Sequence, residues 1–145
     1  MKTLTAIASA LVLSLSLSAA PAHAGGNQFD LDQFGFGNGF GLHQKGKFNS
    51  AAGSQTGIFN NGMIDQHGKH NTAALGQVGA FNDGSIQQSG KNNVGGIGQT
   101  GVFNSAKLKQ KGKNNGGVIL QNGVGNGADV SQTGNGNTAV VIQDN

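Results

Sequence analysis

Carboxamide side chains are the groups in this sequence whose spacing is most regular. Glutamine occurs every eleven residues from Gln33 to Gln143, and an asparagine follows each of the first ten glutamines after five residues. A glycine stands two residues after each of the same ten glutamines. Each amide has N–H donors and a carbonyl acceptor, so identical amides in stacked units can bond to one another in a column. The fixed period predicts stacked copies of one small unit, and it argues against an enzyme, whose site needs a few unique residues placed once.

The elements that must position these amides are β-strands. Counted from each glutamine as position zero, positions five, seven, nine and eleven hold asparagine, a small residue, an aliphatic residue and the next glutamine, with Phe40 and Gly53 as exceptions. This spacing of two is the period of a strand, and the variable positions between indicate that only one face is buried. Each unit therefore predicts about seven strand residues and a turn of about four residues around the glycine, whose backbone suits turns.

A second period of 22 residues lies on top of the first. Alternate units carry lysine at position three and the units between them carry phenylalanine at position four, which gives Lys47, Lys69, Lys91 and Lys113, and Phe59, Phe81 and Phe103. Two strand–turn arches then make one flat coil, with lysines along one edge and phenylalanines along the other. Ten units make about five coils, so we predict an all-β solenoid that becomes cross-β amyloid on polymerisation.

Residues 22 apart then lie one above the other, and their amides form ladders that another copy of the chain can continue. The predicted assembly ladder comprises Gln44, Asn49, Gln55, Asn60, Gln66, Asn71, Gln77, Asn82, Gln88, Asn93, Gln99, Asn104, Gln110, Asn115, Gln121, Asn126, Gln132, Asn137 and Gln143. The predicted turn glycines are Gly46, Gly57, Gly68, Gly79, Gly90, Gly101, Gly112, Gly123 and Gly134. A buried amide without a partner would cost about 1–3 kcal/mol, which explains why these positions have no exceptions.

The lysine column, Lys47, Lys69, Lys91 and Lys113, has two interpretations. It could contact an anionic surface such as acidic polysaccharide or extracellular DNA, because stacked cations attract polyanions. Alternatively, it is a solvated edge that keeps fibres from clumping. The phenylalanines likewise either form an exposed stripe or fold over the turn and cover the end of the core.

No set of residues predicts a catalytic, cofactor or metal site. His67 and His70 lie in one turn without a third ligand at metal spacing. Asp65, Asp83 and Asp129 do not recur in phase, as the ligands of calcium-binding repeats do. Cysteine is absent, so disulfides and thiolate metal sites are excluded. We therefore expect no enzyme activity, no cofactor and no small-molecule substrate.

The two ends of the chain differ from the repeats. Residues 1–24 begin Met-Lys, continue into an apolar, serine-rich run and end in Ala-His-Ala, which predicts a secretory signal peptide rather than a transmembrane anchor. Residues 25–32 form a short N-terminal segment, and 33–145 form the repeat domain. The last strand is expected to lack a cap, so we expect head-to-tail association of copies into a filament. A disordered low-complexity chain is the alternative for this composition, but disorder would not fix the phase of every asparagine.

The repeat resembles that of the curlin family. Residues 132–139 read Gln-Thr-Gly-Asn-Gly-Asn-Thr-Ala and are followed by Gln143, and residues 44–55 and 66–77 have the same pattern. The resemblance implies a subunit of curli, extracellular amyloid fibres that serve adhesion and the biofilm matrix. It implies export through the periplasm and an outer-membrane secretion pore, with a nucleator curlin as partner. The regularity favours a major structural subunit; the alternatives are a minor nucleator or accessory curlin and a monomeric solenoid such as an ice-binding protein.

Overall fold

The computed structural model describes residues 26–145, and the predicted signal peptide lies outside these residues. The described chain consists of strands joined by tight turns and contains no helix that could cross a membrane. The strands are β1 (Gln28–Phe36), β2 (Gly39–Lys47), β3 (Ser50–Ile58), β4 (Asn61–Lys69), β5 (Thr72–Ala80), β6 (Asp83–Lys91), β7 (Val94–Val102), β8 (Ser105–Lys113), β9 (Gly116–Val124), β10 (Gly127–Asn135) and β11 (Thr138–Asp144).

Odd and even strands separate into two parallel sheets. Sheet A has six strands in the order β1-β3-β5-β7-β9-β11, and sheet B has five in the order β10-β8-β6-β4-β2. Every residue pairs with the residue 22 positions away, as in Gln55↔Gln77 of sheet A and Gln66↔Gln88 of sheet B. Two strands therefore make one coil of 22 residues, and the predicted all-β solenoid is confirmed.

The predicted division of each unit into seven strand residues and four turn residues is wrong. Strands β1 to β10 each have nine residues, and only two residues separate one strand from the next, as at Phe59 and Asn60. The ladder runs on through the glycine, since Gly57 pairs with Gly79 in register. The chain reverses afterwards, at a residue with left-handed backbone such as Phe59, whose φ is 54°. The glycines therefore bend the ends of strands, whereas the two residues after each strand form the turn.

The core is a thin layer of aliphatic side chains between the two sheets. Ile64, Ile86 and Leu108 project into it from sheet B, and their counterparts from sheet A are Leu75, Ile97 and Ile119. Alanine or glycine at the small position lets the sheets approach closely. A methyl group on Gly84, for example, would lie 2.6 Å from Leu75 Cδ1.

The two exceptions to the core pattern compensate for each other. Phe40 occupies a small position in β2, and Gly53 occupies an aliphatic position in β3. A Cβ on Gly53 would lie 2.5 Å from Phe40 Cζ, so the phenylalanine ring fills the space that an aliphatic side chain takes elsewhere. The first coil also begins before Gln33: β1 starts at Gln28, and the predicted domain boundary falls inside that strand.

Candidate functional site

The glutamines form two uninterrupted hydrogen-bonded columns, one in each sheet. Gln88, which is buried, illustrates the pattern: its Nε2 donates to Gln110 Oε1 at 2.8 Å and to the backbone oxygen of Thr72 at 2.9 Å. Its Oε1 accepts from Gln66 Nε2 at 2.8 Å. Each glutamine thus bonds along its own column and also across the core to the start of a strand in the opposite sheet. These bonds tie successive coils together and tie the two sheets to each other.

The asparagines close the turns. Asn82 Nδ2 donates to the carbonyl oxygen of Val78 at 3.3 Å, which lies four residues earlier, and to that of Gly101 at 3.0 Å in the next coil. The same Nδ2 and the Asn82 backbone N–H both donate to Asn60 Oδ1, at 3.0 and 3.2 Å. No buried side-chain nitrogen or oxygen in residues 26–145 lacks a hydrogen-bond partner. A core this rich in amides is stable only because every amide is paired.

The two kinds of ladder have opposite direction. Each glutamine donates to the glutamine 22 residues later, as Gln77 does to Gln99 at 2.9 Å. Asparagine side chains donate to the asparagine 22 residues earlier, as Asn115 does to Asn93 at 3.0 Å. The two ends of the solenoid therefore present different groups: free glutamine acceptors at one end and free asparagine acceptors at the other.

The glycines two residues after each glutamine lie near the ends of the strands, one directly above another. Their φ angles lie between 118° and 127°, or 128° at Gly90. A Cβ on Gly57, Gly79 or Gly101 would lie 1.8–1.9 Å from the carbonyl oxygen of the glycine in the next coil. Stacking at strand spacing therefore requires the absence of a side chain here, in addition to the left-handed backbone.

Comparison with known families agrees with this geometry. The family model for the curlin associated repeat matches residues 82–112 and 112–144. The chain belongs to the curlin repeat family. A search of curated proteins finds no match. The matched repeats correspond to β6–β11, and β1–β5 continue them with the same strand length and the same pairing 22 residues apart.

The outer faces of the two curlin-repeat sheets differ sharply in charge. All eight lysines of the described residues are exposed on sheet B, together with three of the six aspartates. These lysines are Lys45, Lys47, Lys69, Lys91, Lys107, Lys109, Lys111 and Lys113. The predicted column is in register, with Lys47 beside Lys69, Lys69 beside Lys91 and Lys91 beside Lys113. β8 adds Lys107, Lys109 and Lys111, which the sequence pattern did not single out as a group.

Sheet A has an apolar outer face. Its strands β3, β5, β7 and β9 contain no charged residue, and exposed aliphatic side chains project from them, including Val78, Val94, Val118 and Leu120. The difference arises from the 22-residue period, which sends odd units to one sheet and even units to the other. A reading of single 11-residue units mixes the two faces and hides the asymmetry.

The phenylalanines form a stack at one edge. Phe81 lies 5.4 Å from Phe59 and 5.1 Å from Phe103 between ring centroids, with nearly parallel planes. About half of each side chain is exposed, with values of 47%, 48% and 60% for Phe59, Phe81 and Phe103. Of the two interpretations of these residues, the exposed stripe fits the structure.

A group of three titratable side chains on sheet B departs from the sequence prediction. His67 was paired in the sequence with His70 and with no third ligand; the structure instead places His67 beside His43 and Asp65. The missing signal was the 22-residue pairing itself, because His43 and Asp65 are register partners on β2 and β4. His70 stacks on Phe48 at the edge, with ring centroids 5.1 Å apart.

Proposed function

We propose that this chain is a structural subunit of an extracellular, curli-like amyloid fibre that grows by head-to-tail addition of copies. The observation that carries the proposal is the complementarity of the two ends of the solenoid. Family membership supports the same role, and a structural role accounts for the absence of any clustered catalytic group that the amide network would need to position. We further propose export to the cell surface and service in adhesion and biofilm matrix.

The ends match donor to acceptor only in one orientation. At the N-terminal end, Gln33 and Gln44 use Nε2 toward the next coil, and no donor in the described residues reaches either Oε1. At the C-terminal end, Gln143 Nε2 bonds only to the carbonyl oxygen of Gly127, which leaves one of its two protons free. Stacking C-terminal end on N-terminal end lets glutamine donors meet glutamine acceptors. Head-to-head stacking would place acceptor against acceptor.

The asparagine columns favour the same orientation. Asn137 Nδ2 donates to Asn115 and to the carbonyl oxygen of Thr133, while no donor in the described residues reaches Asn137 Oδ1. In interior coils this oxygen accepts both a backbone N–H and a side-chain N–H from the next coil, as Asn60 Oδ1 does from Asn82. A second copy would supply those donors. Parallel strands with unpaired edges at both ends add main-chain hydrogen bonds to the same contact.

Elongation of preformed fibres tests the end-to-end contact. Gln143→Glu removes the free donor and places a carboxylate where a fibre would bury it next to an acceptor oxygen. We expect elongation from parent seeds to slow by about tenfold or more, because a buried charge without a partner is far costlier than a lost hydrogen bond. Growth is measured by light scattering, with electron microscopy of the products.

Ile142→Glu is the matched control, since it adds the same charge one residue away on the exposed outer face of β11. It should elongate at close to the parent rate. Equal rates for Gln143→Glu and the parent would contradict the head-to-tail contact. A parent chain that stays soluble alone but forms fibres when a second curlin is added would instead favour the nucleator or accessory role, with the partner completing the ladder.

A second proposed function belongs to the lysine-rich face of sheet B, which we infer contacts polyanions such as acidic polysaccharide or extracellular DNA. The supporting observation is the segregation of all eight described lysines onto one sheet. In a fibre this face repeats with every copy, so even weak contacts act together. Polyanion contact through lysine is electrostatic and hence strongly dependent on salt.

Duplex DNA is a convenient probe for the lysine face. Replacing Lys47, Lys69, Lys91 and Lys113 by glutamine should abolish retention of DNA by the fibres at physiological salt and should flatten the salt dependence of what remains. Fibre growth should be unchanged, because these side chains are exposed. Salt-dependent retention equal to that of the parent would refute a role for this column.

A further inference from the structure

We propose that His43, Asp65 and His67 form a binding site for a divalent transition-metal ion of the zinc and copper class on the outer face of sheet B. This site is independent of the fibre-forming ladders, which lie in the core. Two neighbouring strands supply it: His43 from β2, and Asp65 and His67 from β4. Asp65 and His67 are two residues apart and so project from the same face of β4.

Three ligand atoms converge on one point. His43 Nδ1 lies 3.0 Å from Asp65 Oδ1, His67 Nε2 lies 3.0 Å from the same oxygen, and the two ring nitrogens are 3.1 Å apart. An ion at about 2.0–2.1 Å from each atom, the usual zinc distance to nitrogen and oxygen, would sit about 1 Å outside their plane. The angles between its bonds to the three atoms would be about 95°, a facial arrangement that leaves the remaining positions to water.

The proton balance of the cluster favours an ion. Neutral imidazole carries one N–H, and a carboxylate carries none, so the two close ring nitrogens can bond to each other only if one of them is an acceptor. Both nitrogens also point at a single carboxylate oxygen. A dication in the centre would satisfy all three lone pairs at once and release any proton held there. Imidazole with carboxylate suits zinc, copper and nickel, whereas calcium and magnesium prefer sites made of oxygen alone.

The surroundings of the cluster act in both directions. Asp65 is the most protected of the three, with 27% of its side chain exposed, against 60% for His43 and 46% for His67. Gln87 is the register partner of Asp65 on β6. Lys45 is the register partner of His67, and its positive charge opposes a bound cation. The site should therefore bind more tightly when Lys45 loses its charge, an effect that a purely structural hydrogen-bond cluster would not produce.

Zinc titration of the full chain in its folded state tests the proposal. Zn²⁺ is added at neutral pH in competition with a chromophoric chelator, and circular dichroism confirms that the sheet is intact in every variant. We expect one Zn²⁺ per chain, with affinity reduced about tenfold or more in His43→Gln and His67→Gln, since each loses a direct ligand. Lys45→Gln should raise the affinity several-fold, and Ca²⁺ should not compete.

His70→Gln is the matched control, because His70 is a histidine of the same strand-and-turn region that stacks on Phe48 outside the cluster. It should bind zinc as the parent does. Absence of zinc binding at micromolar concentration would overturn the proposal, and so would binding that survives His43→Gln or that His70→Gln weakens equally. Fibre elongation rates of these variants should match the parent, so that loss of zinc binding is separable from failure of the ladder contact.

Discussion

At the scale of single residues, glycines that look alike in composition differ completely in what they allow. Gly79 has a φ of 122°, and a Cβ there would lie 1.9 Å from the carbonyl oxygen of Gly101. Gly76 lies three residues earlier in β5, and a Cβ there would meet nothing within 4 Å. The first glycine is fixed by backbone conformation and by the spacing of the coils, whereas the second is free to vary.

We predict that Gly79→Ala lowers the free energy of unfolding by roughly 3 kcal/mol or more, because it combines a strained φ with a clash that only separation of the coils can relieve. Gly76→Ala should leave stability unchanged or raise it by up to about 1 kcal/mol, since alanine restricts the unfolded chain. Denaturant titration followed by circular dichroism compares the two. Equal midpoints for both variants would contradict this account of the glycine column.

At the scale of the element, the turns hold bulky residues in a backbone conformation that such residues rarely adopt. Phe81 has a φ of 56°, and the equivalent turn position carries Asn92 and Asn114 on the opposite edge with φ of 55°. Asparagine tolerates this left-handed region, whereas aromatic and especially β-branched residues resist it. Stacking on Phe59 and Phe103 and a backbone hydrogen bond from the Phe81 N–H to the Ile58 carbonyl hold Phe81 there.

We therefore predict that Phe81→Asn costs no more than about 1 kcal/mol of stability, because better backbone preference offsets the lost ring contacts. Phe81→Val loses the rings without that gain and should be less stable than Phe81→Asn by roughly 1–2 kcal/mol. Thermal or denaturant midpoints of the two variants check the order. The reverse order would mean that apolar coverage of the turn outweighs its backbone strain.

The turn is also where prediction from sequence reached its limit. The period of two along positions five to eleven identified the buried face, and the 22-residue alternation predicted the stacking of Lys47 on Lys69 correctly. The glycine at position two suggested a turn there, because its backbone freedom was visible and its place in the pairing was not. The His43–Asp65–His67 cluster was missed for a related reason: its members are distant in sequence and become neighbours only when β2 and β4 are paired.

At the scale of the whole molecule, the number of strands decides how copies can join. The described residues form six strands in sheet A and five in sheet B. If a second copy were added in the same orientation, with its β1 on β11, its β2 would lie two strand spacings from β10 and leave a gap in sheet B. If the second copy is turned by half a turn about the fibre axis, its β1 follows β10 and its β2 follows β11. Both sheets then continue without a gap.

We predict that fibres of these eleven-strand units have a rotation of about 180° and a rise of about 26 Å per copy, which is five and a half strand spacings of ~4.8 Å. The lysine-rich face of one copy then continues as the apolar face of the next, so a polyanion label should alternate between the two sides of the fibre. Helical reconstruction by electron cryomicroscopy measures both quantities. A rise of about 29 Å without rotation would mean that copies join through sheet A alone and leave one strand position of sheet B empty at every junction. The amide ladders make that gap unfavourable, because each would leave glutamine and asparagine groups without the partners that every interior coil provides.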